Sequence, residues 1–263
     1  EGEFDLQIEK LGGSSNAATG YDDVHFYVLV PPNEVLKAIA LLINIVLKPA
    51  LSEEAYSLEK EVVLEEIAQH LDQPDDVIFQ KLLENCWRTH SYGKPILGKK
   101  KSLLKSNPES MRAFHMRNYI PKNLVLSIAG RIPKNLEEYL NKSELGQLAL
   151  EEEWNKKKLC TPKLFFHKGR KEIHIKRLES ARIIMAWELG PANDIEKIVG
   201  ADIGTSLLAE GRSSRFVKVL REELQIVESI EMDITPLEQG GLVILEACCM
   251  EANLPRVEKE IHK

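Results

Sequence analysis

The chain has 263 residues, 43% of them apolar and 29% charged, with a formal net charge of −6. That length and mix describe a globular protein of one large or two ordinary domains, with enough apolar residues to bury a sizeable core. The acidic balance excludes a broad electrostatic footprint for nucleic acid. The longest apolar run, residues 38–47, is interrupted by Asn44 and is too short to span a bilayer.

The chain opens with helical spacing at Phe4, Ile8 and Leu11, closed by Gly12-Gly13. A start inside a helix reads as a fragment or a processed product. Residues 14–19 and 24–30 read as two strands joined by a polar turn. Pro31-Pro32 ends the second strand, and Asn33 is expected to cap a helix running to about Leu47.

Ser52 is expected to cap the next helix, residues 52–70, which carries Glu59 and Glu66. Seven residues are close to two helical turns, so both carboxylates lie on one face, about 10 Å apart along the axis. Val62 and Val63 stand between them, which predicts acids buried in an apolar stripe. A buried carboxylate needs a partner: a cation, a metal or a shared proton. Spacing alone leaves two other readings open. One is a solvated face with Lys60 and its neighbours pairing locally. The other is a Glu66/His70 chelate at i,i+4 spacing, where His70 competes as a helix-end residue answering the dipole.

Pro74 opens a further helix with Val77, Ile78, Leu82 and Leu83 apolar. A loop rich in Gly, Lys and Pro follows, then a helix over 108–118 and a strand over 124–128 ended by Gly130. Residues 142–163 are charged and weakly periodic, although 145–150 could be helical. They suggest a linker at 146–163 between a first domain, 1–145, and a second, 164–263. The lysine runs at 99–101 and 156–158 read as solvated loops. Strands are expected at 173–175 and 182–187, helices at 194–208 and 213–224, strands at 226–233 and 242–249, and a helix opening near Leu254. This last helix–strand–strand–helix order is the order of residues 3–47, which reads as an internal repeat. The fold class is α+β: two related α/β domains, each an antiparallel-rich sheet with helices packed on one face, the second domain truncated. Cys86, Cys160, Cys248 and Cys249 show no C-x-x-C spacing, so neither a disulfide framework nor a thiolate zinc site is expected, and a reducing, cytoplasmic setting is preferred.

Residues 11–30, LGGSSNAATGYDDVHFYVLV, followed by EKEVVLEE at 59–66, resemble the pitrilysin/insulinase family of zinc peptidases, whose signature is H-x-x-E-H. The resemblance continues in order through YGKPILG at 92–98, NYIPKN at 118–123, LSIAG at 126–130, SSR at 213–215 and LRE at 220–222. It implies a zinc-dependent metalloendopeptidase with one zinc per intact catalytic subunit and a metal-activated water. By this resemblance Glu66 matches the third zinc ligand and Glu59 the carboxylate that orients a ligating histidine. Asn16, Ala17, Ala18 and Thr19 match the edge strand to which an extended peptide substrate adds. Arg221 matches an arginine that grips substrate near the scissile bond.

Two departures qualify this. None of the seven histidines stands in an H-x-x-E-H motif. Family order puts that motif before Glu1, so the chain as given is expected to lack zinc and activity. The family also places a tyrosine seven residues after the arginine, where this chain has Glu228. A homo- or heterodimer with a second family member supplying the tyrosine is the implied arrangement. The competing class is a non-catalytic scaffold or processing-complex subunit of the same fold, binding peptide or a partner chain without metal. A third reading is a peptide-binding module that uses the edge strand alone.

Overall fold

The computed structural model describes residues 2–151, 162–175 and 180–263. The chain divides into two compact units, Glu1–Glu65 with Leu97–Cys160 and Glu66–Ile96 with Thr161–Lys263.

In the first unit, helix α1 (Gly2–Lys10) stops at the glycine pair. Gly12 takes φ +76°, a conformation that costs other residues a Cβ clash, and the Gly13 N–H returns to the Ile8 carbonyl at 3.0 Å. Gly13 also meets the Leu29 carbonyl so closely that no side chain would fit. Strands β1 (Ser14–Thr19) and β2 (Val24–Leu29) then form an antiparallel ribbon, from Ser14 opposite Leu29 to Thr19 opposite Val24. A 3₁₀ turn, Pro32–Glu34, leads into α2 (Val35–Leu47). Asn33 therefore does not cap α2: it sits inside the tight turn set by the fixed φ of Pro32, and Glu34 occupies the cap position without a side-chain bond.

Helix α3 (Glu53–Asp72) runs on from Ser52, whose Oγ accepts the Ala55 N–H at 3.2 Å, as expected of a cap. Helix α4 (Pro74–Trp87) opens at Pro74, and a short α5 (Lys100–Leu103) follows. Helix α6 (Pro108–Asn118) has a full capping box. The Asn107 side chain accepts the Ser110 N–H at 2.9 Å, and the Ser110 hydroxyl accepts the Asn107 N–H at 3.1 Å. Two helices close this part, α7 (Leu136–Lys142) and α8 (Glu144–Glu151), the latter taking up the helical option at 145–150. Residues 124–128 are not a strand. They keep the in–out alternation of one, with Val125 91% exposed, yet no neighbouring strand among the described residues bonds to them. Alternation selects a face; a strand also needs a ladder partner. Residues 173–175 likewise carry no strand, and residues 152–161 of the expected linker lie outside the described residues.

The second unit is built on a three-stranded antiparallel sheet in the order β3–β5–β4. These strands are β3 (Ala181–Leu189), β4 (Ser229–Thr235) and β5 (Gly241–Cys249). Helix α9 (Ile195–Ala209) links β3 to a π-helical stretch, Val217–Glu223, where the sequence suggested an ordinary helix. The wider π turn is rare and occurs often near functional sites. After β5, a 3₁₀ turn (Glu251–Asn253) leads into α10 (Leu254–Ile261). One sheet face supplies Ile230, Leu245, Ala247 and Cys249 to the core, packed with Val217 and Leu220 of the π stretch and Val257 and Ile261 of α10. The helix–strand–strand–helix order expected from sequence thus occurs twice, each time with a 3₁₀ turn before the closing helix. The class is a mixture of helix and antiparallel sheet. Among the described residues no helix is long and apolar enough to cross a membrane.

Candidate functional site

Helix α3 carries both acids, but not as a buried pair. Its inward row is Tyr56, Lys60, Val63, Leu64 and Ile67, with Ile67 the most buried, whereas Glu59, Val62 and Glu66 are exposed. The helical period places Glu59 and Glu66 on one face and leaves open which face turns inward. Hydrogen bonding decides it. The Tyr56 hydroxyl donates to Ser106 Oγ at 2.6 Å. The Lys60 ammonium donates to the carbonyls of Leu104 and Ser106, both at 3.2 Å. A one-turn helix such as α5 leaves carbonyls unsatisfied at its end, and a lysine answers them well. Turning Lys60 inward turns the two glutamates out.

At the end of α3, His70 Nδ1 lies 2.9 Å from Asp76 on α4. His70 is therefore engaged across the α3–α4 turn, which argues against the Glu66/His70 chelate. No three His, Cys, Asp or Glu side chains converge as a metal site among the described residues. Zinc needs three or four such donors. The described residues therefore do not by themselves make up a complete zinc centre.

Asn16, Ala17, Ala18 and Thr19 are all exposed on β1, which pairs with β2 on one side and with no other strand among the described residues. The small alanines leave the backbone accessible. The Asn16 side chain folds back to accept the Ala17 N–H at 2.8 Å. Arg221 stands half-exposed on the π stretch, its Nε 3.9 Å from Glu222.

Glu228, at the position expected to hold a tyrosine, is engaged on both oxygens. Ser180 Oγ donates to Oε1 at 2.8 Å, and the Cys248 thiol lies 3.3 Å from Oε2. The Ser180 bond, then the thiol and the nearby Arg182 charge, hold the Glu228 carboxyl below the usual range. Arg182 donates from Nε to Asp75 at 3.0 Å and from Nη1 to Cys248 Sγ at 2.7 Å. Burial, with Glu228 beside it, pushes the Cys248 thiol up. Sequence reasoning missed this group because its members are far apart in the chain. Strand register brings them together, with Arg182 and Ser229 both opposite Cys248. Cys86, Cys248 and Cys249 are free and buried, and burial pushes Cys86 up to about 11, which makes it a poor nucleophile.

Comparison with known proteins bears on what these elements belong to. Residues 1–100 match the family model described as insulinase (peptidase family M16), and residues 105–263 match that of the peptidase M16 inactive domain. An uncharacterized zinc protease of Rickettsia bellii is 27% identical over 255 residues, which cover 97% of this chain and 60% of the relative. The uncharacterized zinc protease YmxG of Bacillus subtilis is 27% identical over 242 residues, covering 90% of this chain and 56% of the relative. Among solved structures, a protease from Helicobacter pylori superimposes with a TM-score of 0.85 at 19% identity, over 99% of this chain and 64% of that one. Pitrilysin superimposes with a TM-score of 0.68 at 15% identity, over 96% of this chain and 28% of that one. At those identities the structural likeness shows the fold alone. The chain spans about 60% of the length of the Rickettsia relatives it matches.

Proposed function

This chain belongs to the insulinase, or M16, family of peptidases, and from that premise we propose that the intact protein is a zinc-dependent metalloendopeptidase. The observation that carries the reading is the outward-facing pair on α3: Glu66 and Glu59, two turns apart and exposed, within the span matched by the insulinase family. The exposed Glu66 carboxylate, on a helix that fixes its direction, can meet ligands from another segment without a large desolvation penalty. Glu66 is assigned as one oxygen ligand, and Glu59 as a positioning residue that holds a ligating histidine in its tautomer. When bound, zinc would supply Lewis acidity and an acidified water.

The chain's own residues do the rest. Asn16–Thr19 offer a strand edge that no third strand pairs among the described residues, and it would hold an extended peptide through main-chain hydrogen bonds with little demand on its sequence. Arg221 is assigned to the substrate backbone near the reacting amide. Glu228, tied to Ser180 and Cys248, is acceptor-only and lacks the hydroxyl donor of a tyrosine. A second family member in a homo- or heterodimer would supply that donor. We assign residues 1–145 and 164–263 to the two homologous domains and 146–163 to their linker. The metal-free scaffold remains the competing class.

The test is metal analysis of the intact protein beside its Glu66→Gln variant. The wild type should hold one zinc per subunit, and the variant should lose most of it along with peptide hydrolysis. Undiminished zinc and activity in the variant would remove the ligand assignment; an intact protein with no zinc at all would favour the scaffold.

A further inference from the structure

The outward face of the β1–β2 ribbon carries aromatic side chains. The register sets Ser14, Asn16 and Ala18 of β1 on the same face as Leu29, Tyr27 and His25 of β2. All six are exposed, Tyr27 at 50% and Leu29 at 72%. The His25 and Tyr27 rings stack, their centroids 6.0 Å apart and their planes 28° from parallel. Two stacked rings beside an exposed leucine form a contiguous apolar surface, which marks a binding site as scattered apolar residues do not. The β1 residues on this face are short, and Ala18 sets a single methyl opposite His25. The face is therefore a step, with rings on β2 and low ground on β1 before the free edge. Ala17 shows where that edge points: its N–H goes to Asn16 Oδ1 at 2.8 Å and so turns away from β2.

We infer that His25 and Tyr27 are specificity-determining residues that select an aromatic side chain on an extended peptide paired with β1. This rests on the reading of Asn16–Thr19 as the substrate edge. A guest strand alternates its side chains, so every second one projects onto the face that carries Ala18. Two strand spacings, about 10 Å, separate its backbone from β2. The methyl of Ala18 leaves that gap open. A guest ring leaning inward then meets His25 or Tyr27 at the centroid separation of about 4.5–7 Å that aromatic pairs favour. A leucine is shorter and offers no ring edge to a ring face, and an alanine does not span the gap.

The experiment uses the chain as it stands and fluorescent peptides of alternating Thr and X, with X Ala, Leu or Phe, followed by anisotropy. The Ala peptide, carried by main-chain bonds alone, sets the baseline. The Phe peptide should bind roughly three- to tenfold more tightly than the Leu peptide, as one or two aromatic contacts would give. His25→Ala/Tyr27→Ala should remove that preference, and His25→Phe/Tyr27→Phe should keep it. Ala17→Pro, which deletes an edge N–H, should weaken all three peptides. Equal binding of Phe and Leu peptides, or a preference that survives loss of both rings, would overturn the proposal; peptides still weakened by Ala17→Pro would then leave the edge reading standing alone. No binding of any peptide, or indifference to Ala17→Pro, would remove the edge reading and this selection with it. A chain that dimerises, and stops doing so on Tyr27→Ala, would overturn the proposal by giving the face to a second copy.

Discussion

Glu246 faces Glu231 across the β4–β5 ladder, and its acidity follows from that setting. Burial pushes its carboxyl above the ordinary range; Asp75, Glu231 and Asp233 add to the push, and Arg182 opposes it. The native state thus holds this proton more tightly than the unfolded chain does. The stabilisation is complete below the unfolded carboxylate range and is lost as pH rises through the native pKa. Glu246→Gln should therefore raise the unfolding free energy from urea titration at neutral pH by roughly 0.5 kcal/mol, with a higher midpoint, for one like-charge strand pair removed. The two proteins should converge in mild acid, and parallel midpoints at all pH values would refute the account. Glu228 has the opposite sign: its depressed pKa adds stability above the carboxylate range that is lost on acidification. At this scale the sequence was a partial guide. The spacing of Glu59 and Glu66 was readable, and their exposure was not, because Lys60 turns the helix through carbonyls more than forty residues away.

The elements best anticipated were those with local chemistry at their ends. Helix α6 begins at Pro108, as expected, and the structure shows why: an Asn cap and a Pro at the first helical position act within four residues. Asn107→Ala should cost about 1 kcal/mol, seen as a lower thermal midpoint with unchanged helix content in the native baseline. No change would mean that the capping box is not formed in solution. Residues 124–128 and 173–175 went the other way. Their apolar alternation is real, but a strand depends on a partner that local sequence does not specify. Asn33 failed as a cap because Pro32 imposes a 3₁₀ turn that no side-chain preference overrides.

For the whole molecule, the repeated helix–strand–strand–helix order was readable because each copy carries its own turns and caps. The β3–β5–β4 order and the group around Glu228 were not, since register between distant strands is set by packing. If, as proposed, a second family member supplies the tyrosine missing at position 228, peptidase activity of the intact protein should elute with a dimer or a two-chain complex on gel filtration. Full activity in a monomer peak would remove the shared-site arrangement.

The β1–β2 ribbon has one more implication. Among the described residues no third strand pairs with it, and neither strand holds a buried residue. Such a ribbon is marginal by itself and opens at low free-energy cost. Its amide protons should exchange with solvent far sooner than those of β5, most of whose residues are buried. A peptide that pairs with β1 would then freeze a fraying surface instead of meeting a rigid one, and part of its binding energy would go into ordering its host.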